Sequence, residues 1–270
     1  MKKSIGNIFI ALIYIILYAP LLVMVFFSFN EAKSTTVFTG FSLKWYAELF
    51  SSSNTMTALR NTLVLAVTSA LIATVIGTAA AVYMYKLRNR AWKASLDMVT
   101  NLPMMNPEIV TGVSMMLLFV FVGRLLGAVN SLSFGTLLIA HVTFNLPYVI
   151  LNVLPKLNQT DPHLAEAAQD LGSTPIRAFF SIVLPSIMPG IASGLLMSFT
   201  LSLDDFVISY YTTGSDFQTL PLKIFAMTKK TVKPDMYAIS SLIFVTVLVL
   251  LLIINIVQIQ QMKKDAQKKN

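Results

Sequence analysis

The sequence predicts an all-α membrane protein with six transmembrane helices. Of its 270 residues, 56% are hydrophobic and only 12% are charged, and the charged residues avoid six long stretches. An α-helix needs about 20 apolar residues to cross the ~30 Å hydrocarbon core, and five of the six stretches exceed that length. This pattern excludes a soluble enzyme and a disordered chain, and it disfavours a β-barrel, whose strands would alternate in hydrophobicity. The charge-free stretches are residues 4–30, 61–85, 109–123, 125–155, 178–203 and 236–262.

The spans follow from these stretches in chain order. Lys2 and Lys3 before the first run resemble the start of a signal peptide, but the apolar run continues to Phe29 without a small-residue cleavage site. We therefore predict an uncleaved first span and one transmembrane domain over residues 1–270. The predicted spans are 8–29, 61–85, 98–122, 132–154, 182–208 and 237–260.

The basic residues predict an orientation with both termini inside the cell. With the N-terminus inside, 12 of the 20 Lys and Arg residues fall in inner segments, and the excess is clearest in the short loop 86–93. The last outer loop carries four Lys and opposes the trend. The net charge of +8 is thus interpreted as a topology signal rather than a nucleic-acid footprint. The absence of cysteine excludes disulfides and a thiolate metal site.

The inner loop 155–181 contains the capping and termination signals of two short helices. Asp161 is a good N-cap followed by Pro162, and the next residues are mostly strong helix formers. Gly172 can end this helix in the left-handed conformation, after which Ser173 or Thr174 can cap a second helix. A short Ala-rich helix at the membrane surface cannot bury itself, so it is expected to dock against a partner.

This loop resembles the signature of permease subunits in binding-protein-dependent, type I ATP-binding-cassette (ABC) importers. Glu166, Ala167 and Ala168 are followed at the family's spacing by Gly172 and by the string Ile-x-Leu-Pro that ends at Pro185. A lone Glu-Ala-Ala would carry no weight, but the full string between two spans is specific. Further stretches are similar to the spermidine/putrescine permeases, so the resemblance covers nearly the whole chain. These stretches begin at Phe41, His141, Phe199 and Thr219.

The resemblance implies a fold, a location and a set of partners. It implies the six-span permease fold of type I importers in a bacterial cell membrane, with Glu166, Ala167, Ala168 and Gly172 contacting an ATPase subunit. It also implies a second homologous permease, two ATPase subunits, an extracellular substrate-binding protein and a polyamine substrate. The chain lacks a phosphate-binding loop motif, so it is expected to be no enzyme and to hold no cofactor, with ATP and Mg²⁺ bound by the partner ATPase.

Ionisable groups at membrane depth are candidates for the substrate path, because each costs about 2.5–3.5 kcal/mol to insert. On a continuous helix, Asp205 falls on one stripe with Ser198, Ser202 and Ser209, and Asp204 lies about 100° round the helix. The acids are expected to attract the ammonium groups of a polyamine, and the rings of Tyr210 and Tyr211 to assist. Helix packing, structural pairing or a position in a loop is the alternative interpretation.

Two further groups have similar alternatives. Glu108 follows Pro103 and Pro107, so it marks either a broken helix beside the pathway or a helix start near the inner headgroups. His141 should lie at the depth of Asp205, where it either pairs across helices or contacts substrate, and one histidine alone makes no metal site. An importer for another small solute, a membrane enzyme and a membrane scaffold remain alternative functions.

Overall fold

The structure is a computed structural model that describes residues 2–32, 37–128, 130–229 and 234–267. These residues form helices, connecting loops and one isolated antiparallel bridge between Asn30 and Phe41. A π-helical segment, Phe179–Val183, directly precedes the helix that begins at Leu184. The helices are α1 (Lys2–Phe27), α2 (Lys44–Ser51), α3 (Ser53–Lys86), α4 (Arg90–Met105), α5 (Glu108–Leu125), α6 (Phe134–Gln159), α7 (Leu164–Asp170), α8 (Pro175–Ala178), α9 (Leu184–Asp204), α10 (Val207–Thr212), α11 (Leu220–Thr228) and α12 (Pro234–Gln267).

Among the described residues, six helical segments are long and apolar enough to cross a membrane. Each overlaps one predicted span, which confirms both the helical class and the number of spans. The orientation with both termini inside stays a prediction. The six segments are Phe9–Phe27, Ser53–Lys86, Glu108–Leu125, Phe134–Gln159, Pro175–Asp204 and Met236–Ile253.

The span predicted over 98–122 consists of two helices. Helix α4 ends at Met105, and the backbone is extended at Asn106 and Pro107 before α5 begins at Glu108. The residue before a proline is pushed out of the helical region, and the proline itself has no N–H to continue the helix. Pro103, in contrast, lies inside α4, so only one of the two prolines interrupts the helix. The apolar span is the shorter Glu108–Leu125.

The chain divides into two compact units, and two of the boundaries fall within α3 and α12. Unit one comprises residues 1–59 and 220–249, and unit two comprises residues 60–219 and 250–270. The prediction of a single transmembrane domain stays a prediction.

Unit one is built around α2. Trp45 and Leu49 are buried, and the indole Nε1 of Trp45 donates to the Asn30 carbonyl at 2.7 Å. Phe50 is exposed, but Trp45 and Leu49 belong to the core of the unit. They pack with Ala58, Leu220, Ala238 and Ile239.

Unit two depends on close approaches between helices. A Cβ atom added at Gly190 of α9 would lie 2.7 Å from the Asn152 carbonyl oxygen of α6, and one added at Gly77 of α3 would lie 2.7 Å from the Val149 side chain. A Cβ atom added at Gly194 would lie 3.2 Å from the Cα atom of Val149. Small residues at these positions let three spans approach closely, as interhelical packing in membranes requires.

Candidate functional site

The end of α7 and the start of α8 fold as the sequence predicts. Helix α7 ends in a paired hydrogen-bond arrangement, with Ser173 N donating to Ala168 O at 3.0 Å and Gly172 N donating to Gln169 O at 2.9 Å. This termination requires a left-handed residue, and Gly172 has φ +86°. Thr174 then caps α8 by accepting from Arg177 N at 3.4 Å.

The start of α7 differs slightly from the prediction. The helix begins at Leu164, and the Asp161 carboxylate accepts from His163 N at 2.9 Å in a turn that precedes it. Asp161 therefore orders the entry to the helix without being its first cap residue.

The signature residues of α7 face in two directions. Glu166 and Ala167 are exposed, whereas Ala168 is buried and packs the helix onto its own unit. His163 Nδ1 lies 3.0 Å from Glu166 Oε2, and both side chains are exposed. The hydrogen bond to Glu166 and the negative charges of Glu166 and Asp161 raise the pKa of His163 above its ordinary value of 6.5. The exposed face of α7 thus displays an acid already paired with a histidine.

The neighbouring acids Asp204 and Asp205 have opposite surroundings. Asp204 is exposed at the end of α9, whereas Asp205 is only 9% exposed. Asp205 takes an extended backbone with ψ 127°, and its two carboxylate oxygens accept from Ile208 N at 3.2 Å and Ser209 N at 2.8 Å. The predicted continuous stripe is therefore wrong at this point, because the helix ends at Asp204 and Asp205 caps the first turn of α10.

Of the two alternatives for His141, the structure shows the pairing across helices, with His141 Nε2 3.4 Å from Asp205 Oδ2, and its contact with substrate stays a prediction. The same nitrogen lies 3.0 Å from Ser209 Oγ, and His141 Nδ1 lies 3.0 Å from Ser202 Oγ. Ser202 also accepts from Asn145 Nδ2 at 2.8 Å. We call His141, Asn145, Ser202, Asp205 and Ser209 the buried polar cluster.

The buried polar cluster joins four helices. Ser202 Oγ also meets Ser69 Oγ of α3 at 2.9 Å, so α3, α6, α9 and α10 all contribute hydrogen bonds. Because buried polar groups are costly unless paired, this network fixes the backbone break between α9 and α10. Two buried atoms at the same interface, Asn145 Oδ1 and Ser198 Oγ, have no hydrogen-bond partner among the described residues. Within the described chain, no group of three potential metal ligands occurs.

Glu108 and Asp204 are brought together in space. Both carboxylates are exposed, and Glu108 lies within electrostatic range of Asp204 and of the Tyr148 hydroxyl. The Tyr148 ring packs edge-on against Phe144, with 5.5 Å between ring centroids. Tyr148 was not predicted for the substrate path, although it follows His141 at helical spacing and combines an aromatic face with a polar tip.

The two tyrosines of α10 differ in exposure. Tyr210 is 47% exposed, and its ring lies 5.6 Å from Phe206 and 5.2 Å from Tyr211. Tyr211 is half-buried and packs on Gly112 of α5, where an added Cβ would lie 3.0 Å from the tyrosine ring. The role of both tyrosines in substrate contact stays a prediction, and Tyr210 has the more accessible ring.

Comparison with known proteins identifies the family. A profile of the family described as "Binding-protein-dependent transport system inner membrane component" matches residues 73–262. The chain belongs to this family. The match includes the α7 signature, the buried polar cluster and the acids Glu108, Asp204 and Asp205.

Individual relatives extend over nearly the whole permease. The "Spermidine/putrescine transport system permease protein PotC" of Escherichia coli (strain K12) is 36% identical over 264 residues, which cover 97% of this chain and 95% of the relative. The "Putrescine transport system permease protein PotI" of the same organism is 39% identical over 227 residues, which cover 84% of this chain and 81% of the relative.

Solved structures confirm the predicted type I ABC importer permease fold. The crystal structure of a bacterial alginate ABC transporter, in complex with a periplasmic protein bound to an alginate pentasaccharide, contains a chain that matches with a TM-score of 0.71. The match covers 94% of this permease and 93% of that chain. At 17% sequence identity this likeness shows the fold alone.

Proposed function

We propose that this chain is the permease subunit of an ATP-driven polyamine importer in a bacterial cell membrane. The observation that carries the proposal is the match over 97% of the chain to a permease named for spermidine and putrescine. The exposed acids Asp204 and Glu108 support it, because a polyamine carries several compact ammonium charges that carboxylates attract.

The substrate path is assigned to the exposed groups rather than the buried ones. Asp204, Glu108 and Tyr210 are exposed and Tyr148 is half-buried, and these groups can hold a cation through charge and aromatic faces. Asp205 and His141 are buried and do not touch the substrate. They stabilise the break between α9 and α10, so that α9 ends at Asp204 with its carboxylate exposed.

The ATPase contact is assigned to the exposed face of α7. Glu166 and Ala167 would touch the ATPase subunit, Ala168 would fix the helix to its unit, and Gly172 would set the direction of the chain that leads into α9. With both termini inside the cell, this loop lies in the cytoplasm. ATP and Mg²⁺ are held by two partner ATPase subunits, a second permease completes the pathway, and an external binding protein delivers the substrate.

A whole-cell uptake experiment tests this proposal. A strain that lacks its own polyamine importers receives the complete transporter with the wild-type chain, Asp204→Asn or Asp216→Asn. Asp216 is an exposed loop acid, so it is a charge-matched control. We expect the wild type to accumulate radiolabelled spermidine, Asp204→Asn to accumulate it more slowly, and Asp216→Asn to match the wild type.

Two results of that experiment would contradict the proposal. The polyamine assignment fails if the wild-type transporter reaches the membrane and accumulates no spermidine or putrescine, and sulfate and iron uptake then identify an importer for another solute. Unchanged uptake by Asp204→Asn would leave the importer intact and remove Asp204 from the path.

A further inference from the structure

An apolar groove of about 770 Å³ runs along the outside of unit two. One wall is the later part of α3, and the other is formed by α8, the π-helical segment and the start of α9. Thr74 of α3 lies in this wall, but its hydroxyl donates to Ala70 O at 2.6 Å and so offers little to a ligand. The groove is therefore an almost wholly apolar surface, lined by residues that include Val75, Ala79, Val82, Ile176, Leu184 and Met188.

The length of the groove corresponds to one membrane leaflet. Its α3 wall runs from Thr74 to Lys86, and the twelve residue steps between them rise about 18 Å along a helix axis. Half of the hydrocarbon core is about 15 Å. An acyl chain that starts at the membrane surface beside Lys86 can thus follow the groove to about the middle of the bilayer.

The π-helical segment shapes the second wall. Its wider turn places Phe179 and Phe180 along the groove, and the Phe180 side chain is 60% exposed. Ile176, one turn earlier, is 73% exposed. At a concave surface these side chains can contact an acyl chain on more than one side, which a flat lipid-facing surface does not allow.

One basic side chain, that of Lys86, lines the surface end of the groove. Lys86 is the last residue of α3 and lines the groove, and Arg88, Arg90 and Lys93 follow within one short stretch. Among the side chains that the structure describes, no carboxylate forms an ion pair with Lys86. Basic pockets between transmembrane helices at a membrane surface bind the headgroups of anionic lipids.

We propose that this groove binds one phospholipid with an anionic headgroup. The acyl chain lies between α3 and α9, and the Lys86 ammonium contacts the headgroup phosphate. A helix from a second copy of the chain fits less well. In the six-span topology its first span would bring Lys2 and Lys3 to the same membrane surface as Lys86, where like charges repel.

Lipid retention by the full-length chain tests the proposal. The chain is purified in detergent, stripped of lipid and titrated with phosphatidylglycerol or phosphatidylcholine, and the bound lipid is counted by native mass spectrometry. We expect one tightly held phosphatidylglycerol and weaker binding of phosphatidylcholine. Removal of one positive charge by Lys86→Gln should weaken the phosphatidylglycerol affinity about fivefold.

Two further variants locate the lipid. Arg124→Gln removes an exposed cation at the end of α5, outside the groove, so it should leave the affinity unchanged. Ala79→Phe places a ring in the groove and should abolish retention of the tight lipid, with a thermal unfolding profile like that of the wild type. Equal binding of the two lipids, or an affinity that is unaffected by Lys86→Gln, would overturn the proposal.

A protein occupant gives a different result. The chain has no cysteine, so a single Ala79→Cys substitution provides a unique cross-linking position in the groove. In membranes that contain the complete transporter, this cysteine is labelled with benzophenone maleimide and irradiated, and we expect cross-links to lipid and none to another subunit. A high-yield cross-link to the second permease would show that a helix fills the groove and would overturn the proposal.

Discussion

The 155–181 loop and the buried polar cluster are both rich in polar groups, but their hydrogen bonds differ in range. In the loop, His163 bonds to Glu166 three residues away, and both side chains remain exposed. In the cluster, Ser202 bonds to partners 57 to 133 residues away, all of them buried. Short-range bonds leave a surface free for a partner, whereas long-range bonds join helices. Polar residues at one face of a span therefore need not face the substrate.

The largest expected effect comes from the backbone of the loop. Gly172→Val forces a β-branched residue into φ +86°, where an L-residue costs about 1–2 kcal/mol, and should abolish ATP-driven uptake. An added Cβ at this position meets nothing within 4 Å, so the loss would come from conformation and not from a clash.

Gly172→Asn is the matched control for this prediction, because asparagine tolerates the left-handed conformation better than other L-residues. It should retain most of the uptake. Equal loss in Asn and Val variants would show that the side chain itself obstructs the partner surface.

The two neighbouring acids should separate stability from transport. Each Asp205 carboxylate oxygen accepts from one backbone N–H, and Asp205→Asn replaces one of these oxygens with an NH₂ group, so it should lower the free energy of unfolding by about 2–4 kcal/mol. Asp204→Asn should leave thermal unfolding nearly unchanged and reduce the rate of uptake at low ionic strength by about tenfold. A variant pair with the reverse pattern would place Asp205 in the path and break the comparison.

A smaller effect should distinguish two serines one turn apart on α9. Ser202 bonds to His141, Asn145 and Ser69, so Ser202→Ala should destabilise the fold by about 1–3 kcal/mol. Ser198 is equally buried but has no hydrogen-bond partner among the described residues, so Ser198→Ala should be close to neutral. Denaturant unfolding of the purified chain measures both, and equal costs would contradict the assigned hydrogen bonds.

The smallest effect concerns the exposed pair in the loop. His163 has a raised pKa, so its attraction to Glu166 is fully present below 6.5 and is lost as the pH rises through the raised value. Glu166→Gln should move the pKa of His163 back towards 6.5. The chain has two histidines, so an isotope-labelled NMR titration can follow His163 separately from the buried His141. An unchanged pKa in Glu166→Gln would show that the pair does not form.

The sequence predicted features that depend on local physics. The six spans follow from apolar length, and the end of α7 follows from the conformational freedom of Gly172. The cap of α8 follows in the same way from Thr174, whose hydroxyl lies close to the first free N–H groups of the helix.

Long-range packing determines the structural features that the sequence did not predict. The break at Asp205 was missed because an uninterrupted helix also explains the serine spacing, and only the pairing with His141 and two backbone N–H groups ends the helix there. Pro103 and Pro107 looked equivalent in sequence, yet α4 retains the first and ends before the second. The proximity of Glu108, Tyr148 and Asp204 arises from three separate helices, so no single periodic pattern reveals it.

ATP-dependent spermidine accumulation in proteoliposomes tests the central claim most directly. The complete transporter is reconstituted with its binding protein, and ATP hydrolysis is measured in the same vesicles for the wild type and Gly172→Val. We predict that the wild type accumulates spermidine only with ATP, and that Gly172→Val hydrolyses ATP without accumulation. Normal spermidine accumulation by Gly172→Val, or hydrolysis by the wild type that responds to a different solute and never to a polyamine, would contradict the account.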